Sequence, residues 1–292
     1  MSSFSKNKMA YIYLLITFFA WGSLYVISKF VLDKIPVVTV SFIRYVIAGT
    51  VLYFILKQRK LKAIQQQDYK YVFLIGFLGY FVSMATQLLG TKLTNASLAS
   101  LVNSINPVMI MLFAVIILKE RLTLKKIVCG VLAITGVYII VGGIDGHGQM
   151  WGVGISIFSV ILWSWVSVVV RKITQKYDPL QITTYAIIIA AICTMPFSIW
   201  ELNVSSKVQF DGSVVLSMLY IGLVCTALSH VLWNKSLSMI EAGTCSLFYP
   251  LQPMVAVLLG GIFLGENITV NFVFGAILIV GGVIFSIVGK DF

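Results

Sequence analysis

Acidic side chains are scarce in this sequence. Ten Asp and Glu stand against 21 Lys and Arg in 292 residues, and charged residues together make up 11%. A water-exposed domain needs far more polar surface, which excludes a soluble fold. Histidine is nearly absent, at His147 and His230 only. There are no paired acids, no histidine cluster and no Gly-x-Ser-Gly segment, so the chain lacks the constellation an intramembrane transferase or protease needs, and no catalytic residue is expected. No Walker-type phosphate loop is present, which argues against direct use of ATP. Cys129, Cys193, Cys225 and Cys245 all fall inside apolar segments, at spacings that fit no metal site. They read as small buried hydrophobes, and neither a disulfide, a metal nor a cofactor is expected.

What remains is apolar: 59% of residues are hydrophobic and the mean hydropathy is +0.99. A bilayer core about 30 Å thick takes roughly 20 helical residues at 1.5 Å each. Runs of that length occur at 9–32 (span 1), 36–56 (span 2), 71–90 (span 3), 96–118 (span 4), 124–142 (span 5), 151–171 (span 6), 179–200 (span 7), 214–235 (span 8), 242–264 (span 9) and 268–288 (span 10). Span 1 follows Lys6 and Lys8, as a signal peptide would, but it is too long for a signal core and ends in no cleavage site. Pro36 and Pro179 open spans 2 and 7, where a first turn tolerates proline. Thr123 and Thr269 are plausible N-caps for spans 5 and 10. Trp151, Trp200 and Trp233 sit at run ends, where an indole suits the headgroup level.

The net charge of +11 raises the question of nucleic acid, but the basic residues sit in short gaps between apolar runs, so no nucleic-acid partner is expected. With the N-terminus placed in the cytoplasm, the inside segments hold Lys6, Lys8, Lys57, Arg59, Lys60, Lys62, Lys70, Lys119, Arg121, Lys125, Lys126, Arg171, Lys172, Lys176, Lys235 and Lys290. The outside holds Lys29, Lys34, Lys92 and Lys207, and Arg44 lies within span 2. Sixteen against four predicts both termini inside, in the plasma membrane, and an even number of spans.

A repeat with an offset of 146 runs through the chain. Ile75-Gly76 returns as Ile221-Gly222, Ala96 as Ala242, Ser100-Leu101 as Ser246-Leu247, and Pro107 as Pro253. Leu118, Glu120 and Thr123 return as Leu264, Glu266 and Thr269. Trp21 and Lys29 match Trp163 and Arg171 at an offset of 142. Five spans per unit is an odd number, so the second unit enters the bilayer from the opposite side, and Glu120 falls inside while Glu266 falls outside. The expectation is an all-α integral membrane protein of ten transmembrane helices, built as two inverted five-helix repeats, 1–146 and 147–292, in one integrated transport domain. Substrate is then expected between the halves, near the midplane.

Phe19-Ala20-Trp21-Gly22-Ser23 with Lys29 downstream, and Phe42-Ile43-Arg44, resemble the first two helices of EamA-type members of the drug/metabolite transporter superfamily. The stretch from Ala96 through Pro107 to Lys119-Glu120-Arg121-Leu122 resembles that family's fourth helix, and Ala242 through Pro253 to Gly265-Glu266 its ninth. The resemblance covers essentially the whole chain. It implies a ten-helix exporter-type carrier working by alternating access, among relatives that move amino acids, sugars, nucleosides and other small metabolites. The second half departs from the first in having no counterpart to Arg44, since the region around Tyr185 is uncharged.

Candidate substrate-lining residues follow from polar or aromatic side chains deep in the spans. Asn103 and Asn106 in span 4 repeat as Tyr249 and Gln252 in span 9, three residues apart and so on one helix face. Pro107, Pro250 and Pro253 nearby can break those helices and free carbonyls toward a polar cavity; interhelical hydrogen bonding is the plainer role for the amides. Trp21, with Tyr25 one turn on, and Trp163 lie near mid-depth, where a ring serves as cavity wall or as packing. Arg44 is an intramembrane charge, costing on the order of 2.5–3.5 kcal/mol on insertion scales. It either faces carbonyls in the bundle or meets an anionic group of a substrate, while Lys29 and Arg171 sit nearer span ends and are expected to snorkel. His230 can relay protons or pack through a hydrogen bond, and Tyr80, Gln87 and Thr226 are further candidates. Glu120 and Glu266 read as solvated span ends. The expected function is a secondary carrier of a small metabolite, such as an amino acid or an amphipathic drug, with proton coupling, exchange and facilitation all open. The alternatives are a facilitative channel or a non-transporting membrane scaffold, though no filter-like ring or loop is present.

Overall fold

The computed structural model describes residues 3–119, 147–205, 208–249, 251–265 and 270–288, with isolated positions between 124 and 139. Span 5, Glu120, Thr123, Pro250, Glu266 and Thr269 therefore fall outside the described residues, span 5 apart from a few positions. All regular structure among the described residues is helical, without strands. Among the described residues, eight helices are long and apolar enough to cross a membrane: Asn7–Leu32, Val37–Lys57, Gln66–Leu93, Leu98–Leu118, Gln149–Ile173, Pro179–Val204, Gly212–Met239 and Ala242–Leu264. They correspond to spans 1–4 and 6–9, and the helix Val270–Val288 covers span 10. The chain is a multi-pass membrane protein.

The distribution of side chains is that of a lipid-embedded bundle. Large apolar residues such as Phe54, Ile116, Ile192, Leu216 and Ile262 face outward, exposed. The interior holds, beside an apolar core, many buried Ser and Thr with Asn, Gln, Arg44 and His230. Lipid tails are as apolar as leucine, so helices in a bilayer associate through close packing of small residues and hydrogen bonds. Gly22, Gly76, Gly79 and Gly222 each lie against a neighbouring span, so closely that an added Cβ would sit under 3 Å from its atoms. Of the three tryptophans expected at headgroup level, Trp151 and Trp200 are exposed, whereas Trp233 is fully buried. The span 8 helix continues past Trp233 to Met239, so its indole lies within the bundle, edge-on to Phe18 and Tyr249.

Packing partners follow a regular exchange. Span 1 packs on spans 8 and 9, and span 6 on spans 3 and 4. Span 2 packs on span 7 and on the middle of span 8, and span 7 on the middle of span 3. Those middles are the two π-helical segments, Ile75–Ser83 and Ile221–Leu228, which start 146 residues apart. Spans 4 and 9 each end in a left-handed residue, Lys119 at φ 58° and Gly265 at φ 62°, again 146 apart. Lys29, half-buried near its span end, donates to the carbonyls of Thr91, Lys92 and Thr94 at the end of span 3. Arg171 likewise donates to Leu237 O at the end of span 8, and Leu237 is 146 residues beyond Thr91. Cations at these positions suit the negative ends of the helix dipoles and satisfy orphan carbonyls.

Candidate functional site

At the centre of the bundle is a small cavity of about 20 Å³, lined by Trp21, Leu24, Tyr25, Met84, Gln87, Asn103, Trp163, His230, Tyr249 and Gln252. Its walls come from spans 1, 3, 4, 6, 8 and 9. Span 4 is interrupted here, running Ala96–Val102, a 3₁₀ turn Asn103–Ile105, then Asn106–Leu118 with Pro107 in its first turn. Span 9 breaks at the matching place, between Ala242–Ser246 and Leu251–Leu264. Asn103 and Tyr249 sit in these breaks, and Gln252 in the first turn beyond.

One wall is a closed hydrogen-bond chain. Gln87 Nε2 donates to Tyr25 Oη at 2.8 Å and, more weakly, to Asn103 Oδ1 at 3.5 Å. Asn106 Nδ2 donates to Asn103 Oδ1 at 2.9 Å, and Ser164 Oγ to Asn106 Oδ1 at 2.8 Å. Asn106 is thereby tied down behind Asn103, off the cavity surface. The opposite wall is aromatic. Trp21 and Trp163 meet edge to face at 5.7 Å, and His230 lies 5.3 Å from the first and 5.7 Å from the second. Trp163 Nε1 donates to Tyr249 Oη at 2.6 Å, and Trp21 Nε1 to the carbonyl of Cys225 at 3.1 Å.

His230 Nδ1 lies 2.8 Å from the carbonyl of Thr226. A carbonyl only accepts, so Nδ1 carries a proton, and in the neutral ring Nε2 then carries the lone pair. Nε2 has no partner among the described residues, and neither has Gln252 Oε1. Ser104 Oγ, Gln181 Oε1, Trp233 Nε1, Asn234 Oδ1 and the Arg44 nitrogens are likewise without a partner among the described residues.

Eight of the expected residues thus meet at one cavity, and four, Asn106, Tyr80, Arg44 and Thr226, lie elsewhere. Asn106 is in the chain above. Tyr80 packs on His230 at 4.8 Å and on Trp163 at 5.9 Å, its hydroxyl accepting from Asn234 Nδ2 at 3.1 Å. Arg44 is fully buried beyond it, 5.0 Å from the ring of Tyr45. Tyr45 in turn donates its hydroxyl proton to the carbonyl of Tyr80. Thr226, the weaker candidate, spends its hydroxyl on the carbonyl of Ile221. Sequence reasoning passed over Leu24 and Met84, which carry no signal in an apolar run. It also passed over Tyr45, Asn234 and Trp233, of which Asn234, an amide within a span, carries the same mark as Asn103.

Outside the spans, Glu201 closes the start of span 2, accepting from the backbone N–H groups of Val38 at 3.1 Å and Thr39 at 2.8 Å. Asp211 caps span 8 through Val214 N and binds Lys34 Nζ at 2.6 Å. The hydrogen bond from Lys34, joined by those from Ser213 and Val214, holds its carboxyl well below the usual carboxylate range.

A membrane bundle with a central aromatic and polar cavity at broken helices is an arrangement found in solute carriers. The EamA-like transporter family model matches residues 8–142 and 150–288. The chain belongs to the EamA-like transporter family. It is 26% identical to an uncharacterized transporter of Archaeoglobus fulgidus, over 94% of this chain and 96% of that one. It is 25% identical to the uncharacterized transporter YetK of Bacillus subtilis, over 98% and 88%. A probable amino-acid metabolite efflux pump of Salmonella typhimurium is 27% identical over 66% of this chain and 68% of its own. A solved crystal structure shares the fold, with a TM-score of 0.73 at 17% identity, covering 97% of this chain and 98% of that one.

Proposed function

We propose that this transporter is a secondary carrier exporting a small metabolite, an amino acid or a molecule of similar size, by alternating access about the central cavity. The observation that carries the reading is the cavity's make-up and size. It is lined from both halves of the chain, and its volume of about 20 Å³ holds roughly one water molecule. A metabolite enters such a site only if the spans move apart, and a carrier opens to one side at a time. The small volume corresponds to a contracted conformation between the two open ones.

We further propose ten spans in two inverted repeats, 1–146 and 147–292, forming one transport domain in the plasma membrane with both termini cytoplasmic. Supporting this are the paired π segments, the paired left-handed ends, the Lys29 and Arg171 caps, and packing partners that exchange when the halves are exchanged. The two stretches matched by the family model are of nearly equal length. Broken helices meeting at a repeat interface are the usual setting of such substrate sites. Trp21, Tyr25, Gln87, Asn103, Trp163, His230, Tyr249 and Gln252 are proposed to touch substrate, with Tyr80 and Arg44 reached as the cavity widens and Asn106 holding Asn103. The name of the Salmonella relative supports amino-acid metabolites as the first substrates to test.

The test is counterflow of labelled amino acids into proteoliposomes holding the purified protein. Acceleration by unlabelled substrate on the far side is the expected result. No acceleration by any metabolite, together with chemical change of a lipid or peptide in the same vesicles, would overturn the carrier reading in favour of an enzyme.

A further inference from the structure

Four cations among the described residues have acceptors close by. Lys29 has the carbonyls at the end of span 3, and Arg171 the carbonyl of Leu237. Lys34 and Lys176 have the carboxylates of Asp211 and Asp68. Arg44 is fully buried, yet its Nε and both terminal nitrogens lack any hydrogen-bond partner among the described residues. No carboxylate hydrogen-bonds it among the described residues, and its nearest aromatic neighbour is the ring of Tyr45 at 5.0 Å. A buried guanidinium without a well-formed hydrogen bond among the described residues, facing the Tyr45 ring, is in an unfavourable state. It also cannot shed its charge, because arginine stays protonated in proteins.

Arg44 does not line the contracted cavity; Tyr80 and His230 stand between. Tyr80 touches both sides, its backbone carbonyl bound by Tyr45 and its ring against His230. Both barrier residues lie in or just beyond the π segments of spans 3 and 8. Such segments, with their wider turns, recur at functional sites in helices.

We propose that Arg44 is the anchor for a single negative charge on the transported molecule, a carboxylate group, which meets it when the cavity widens past Tyr80 and His230. This rests on the carrier function proposed above and specifies its substrate as a monocarboxylate or an amino acid. The guanidinium fork matches the two oxygens of a carboxylate. One positive charge balances one negative charge, and a doubly charged phosphate would remain half unpaired among the described residues. The second half of the chain has no equivalent of Arg44, so the anchor gives the site one polarity.

The experiment uses the full chain purified in detergent and in proteoliposomes, with leucine, phenylalanine, lactate and benzoate as probes, each beside its primary amide. In the wild type at least one acid raises the melting temperature at about one-tenth the concentration its amide needs, or less, the scale of a charge-assisted hydrogen bond. Arg44→Gln removes that preference, whereas Arg44→Lys keeps part of it. Without ligand, Arg44→Gln melts no lower than the wild type, because it removes an unpaired buried charge. A purely structural anchor gives the opposite pair of results, a lower melting temperature with the acid preference intact, and that overturns the proposal. So does a wild type that binds no acid better than its amide. Counterflow separates this from the parent reading. Amides and acids carried equally by wild type and Arg44→Gln would sink the anchor but leave the carrier. Acid-specific binding without counterflow of any probe would sink the carrier but leave the anchor.

Discussion

The closest helix contacts give a prediction that can be worked from distances. A Cβ on Gly76 would lie 2.7 Å from the carbonyl oxygen of Ala186 and 2.8 Å from Ile189 Cβ. A Cβ on Gly222 would lie 2.7 Å from Ile47 Cγ2 and 2.8 Å from Ile47 Cβ. Ordinary carbon contacts are about 3.5–4.0 Å, so each methyl overlaps its neighbour by roughly 1 Å. The atoms struck are backbone or a branched Cβ, which cannot swing aside. Span 3 must therefore back away from span 7, and span 8 from span 2, at an overpacking cost of about 1–3 kcal/mol. Alanine also favours the helix by about 0.5–1 kcal/mol over glycine, which masks part of the loss. Gly154, in span 6 with nothing within 4 Å of its would-be Cβ, isolates that term. Gly76→Ala and Gly222→Ala should each be less stable than Gly154→Ala by about 1–3 kcal/mol, since the propensity gain cancels. Thermal unfolding in one detergent, followed by exposure of buried cysteine to a thiol dye, measures it. Gly76→Ala or Gly222→Ala melting with Gly154→Ala would refute the close pairing and the exchange of packing partners with it.

Other substitutions separate binding from stability. Gln252→Leu should weaken substrate binding with little change in melting temperature, because its Oε1 has no partner to lose among the described residues. Asn106→Leu should cost stability by about 1–3 kcal/mol, because it strands Asn103 and Ser164; comparing half-saturation with melting temperature for both checks the contrast. Trp163→Phe leaves the buried hydroxyl of Tyr249 without its donor and should destabilise by about 1–3 kcal/mol, a loss that Tyr249→Phe in the same background partly restores. Asp211→Asn keeps a capping oxygen but removes the charge held by Lys34. The wild-type carboxyl titrates below its unfolded value, so its contribution is present above about pH 4 and fades as pH falls further. The melting-temperature gap between the two proteins should close over that acid range and narrow in high salt at neutral pH.

The spans were legible because a bilayer imposes length on every helix. The site was legible where polarity is conspicuous. Asn103, Tyr249 and Gln252 stand out in apolar runs beside prolines, and the structure brings them to one cavity with Trp21 and Trp163. Asn106 shows the limit of that signal, since spacing places it on the face of Asn103 but cannot say that the two amides bond to each other. Lys29 and Arg171 read as snorkelling residues, and chain position alone does not reveal a neighbouring helix end within reach. Trp233 looks interfacial because the hydropathy run stops at Lys235, while the helix goes on to Met239. The π segments left no mark, since a wider turn needs no particular residue. Arg44 was conspicuous as a charge, and its lack of a hydrogen-bond acceptor among the described residues is a property of packing that no sequence pattern carries.

The central claim is that the aromatic and amide cavity between the halves is where substrate is carried. Counterflow of labelled amino acids in proteoliposomes, wild type beside Gln252→Leu and with melting temperatures matched, tests it most directly. The account predicts accelerated exchange by the wild type and a half-saturation concentration raised about tenfold or more by the substitution, the scale of a lost buried polar contact. Equal exchange by the two proteins would contradict it, because a carried molecule would then bypass the cavity.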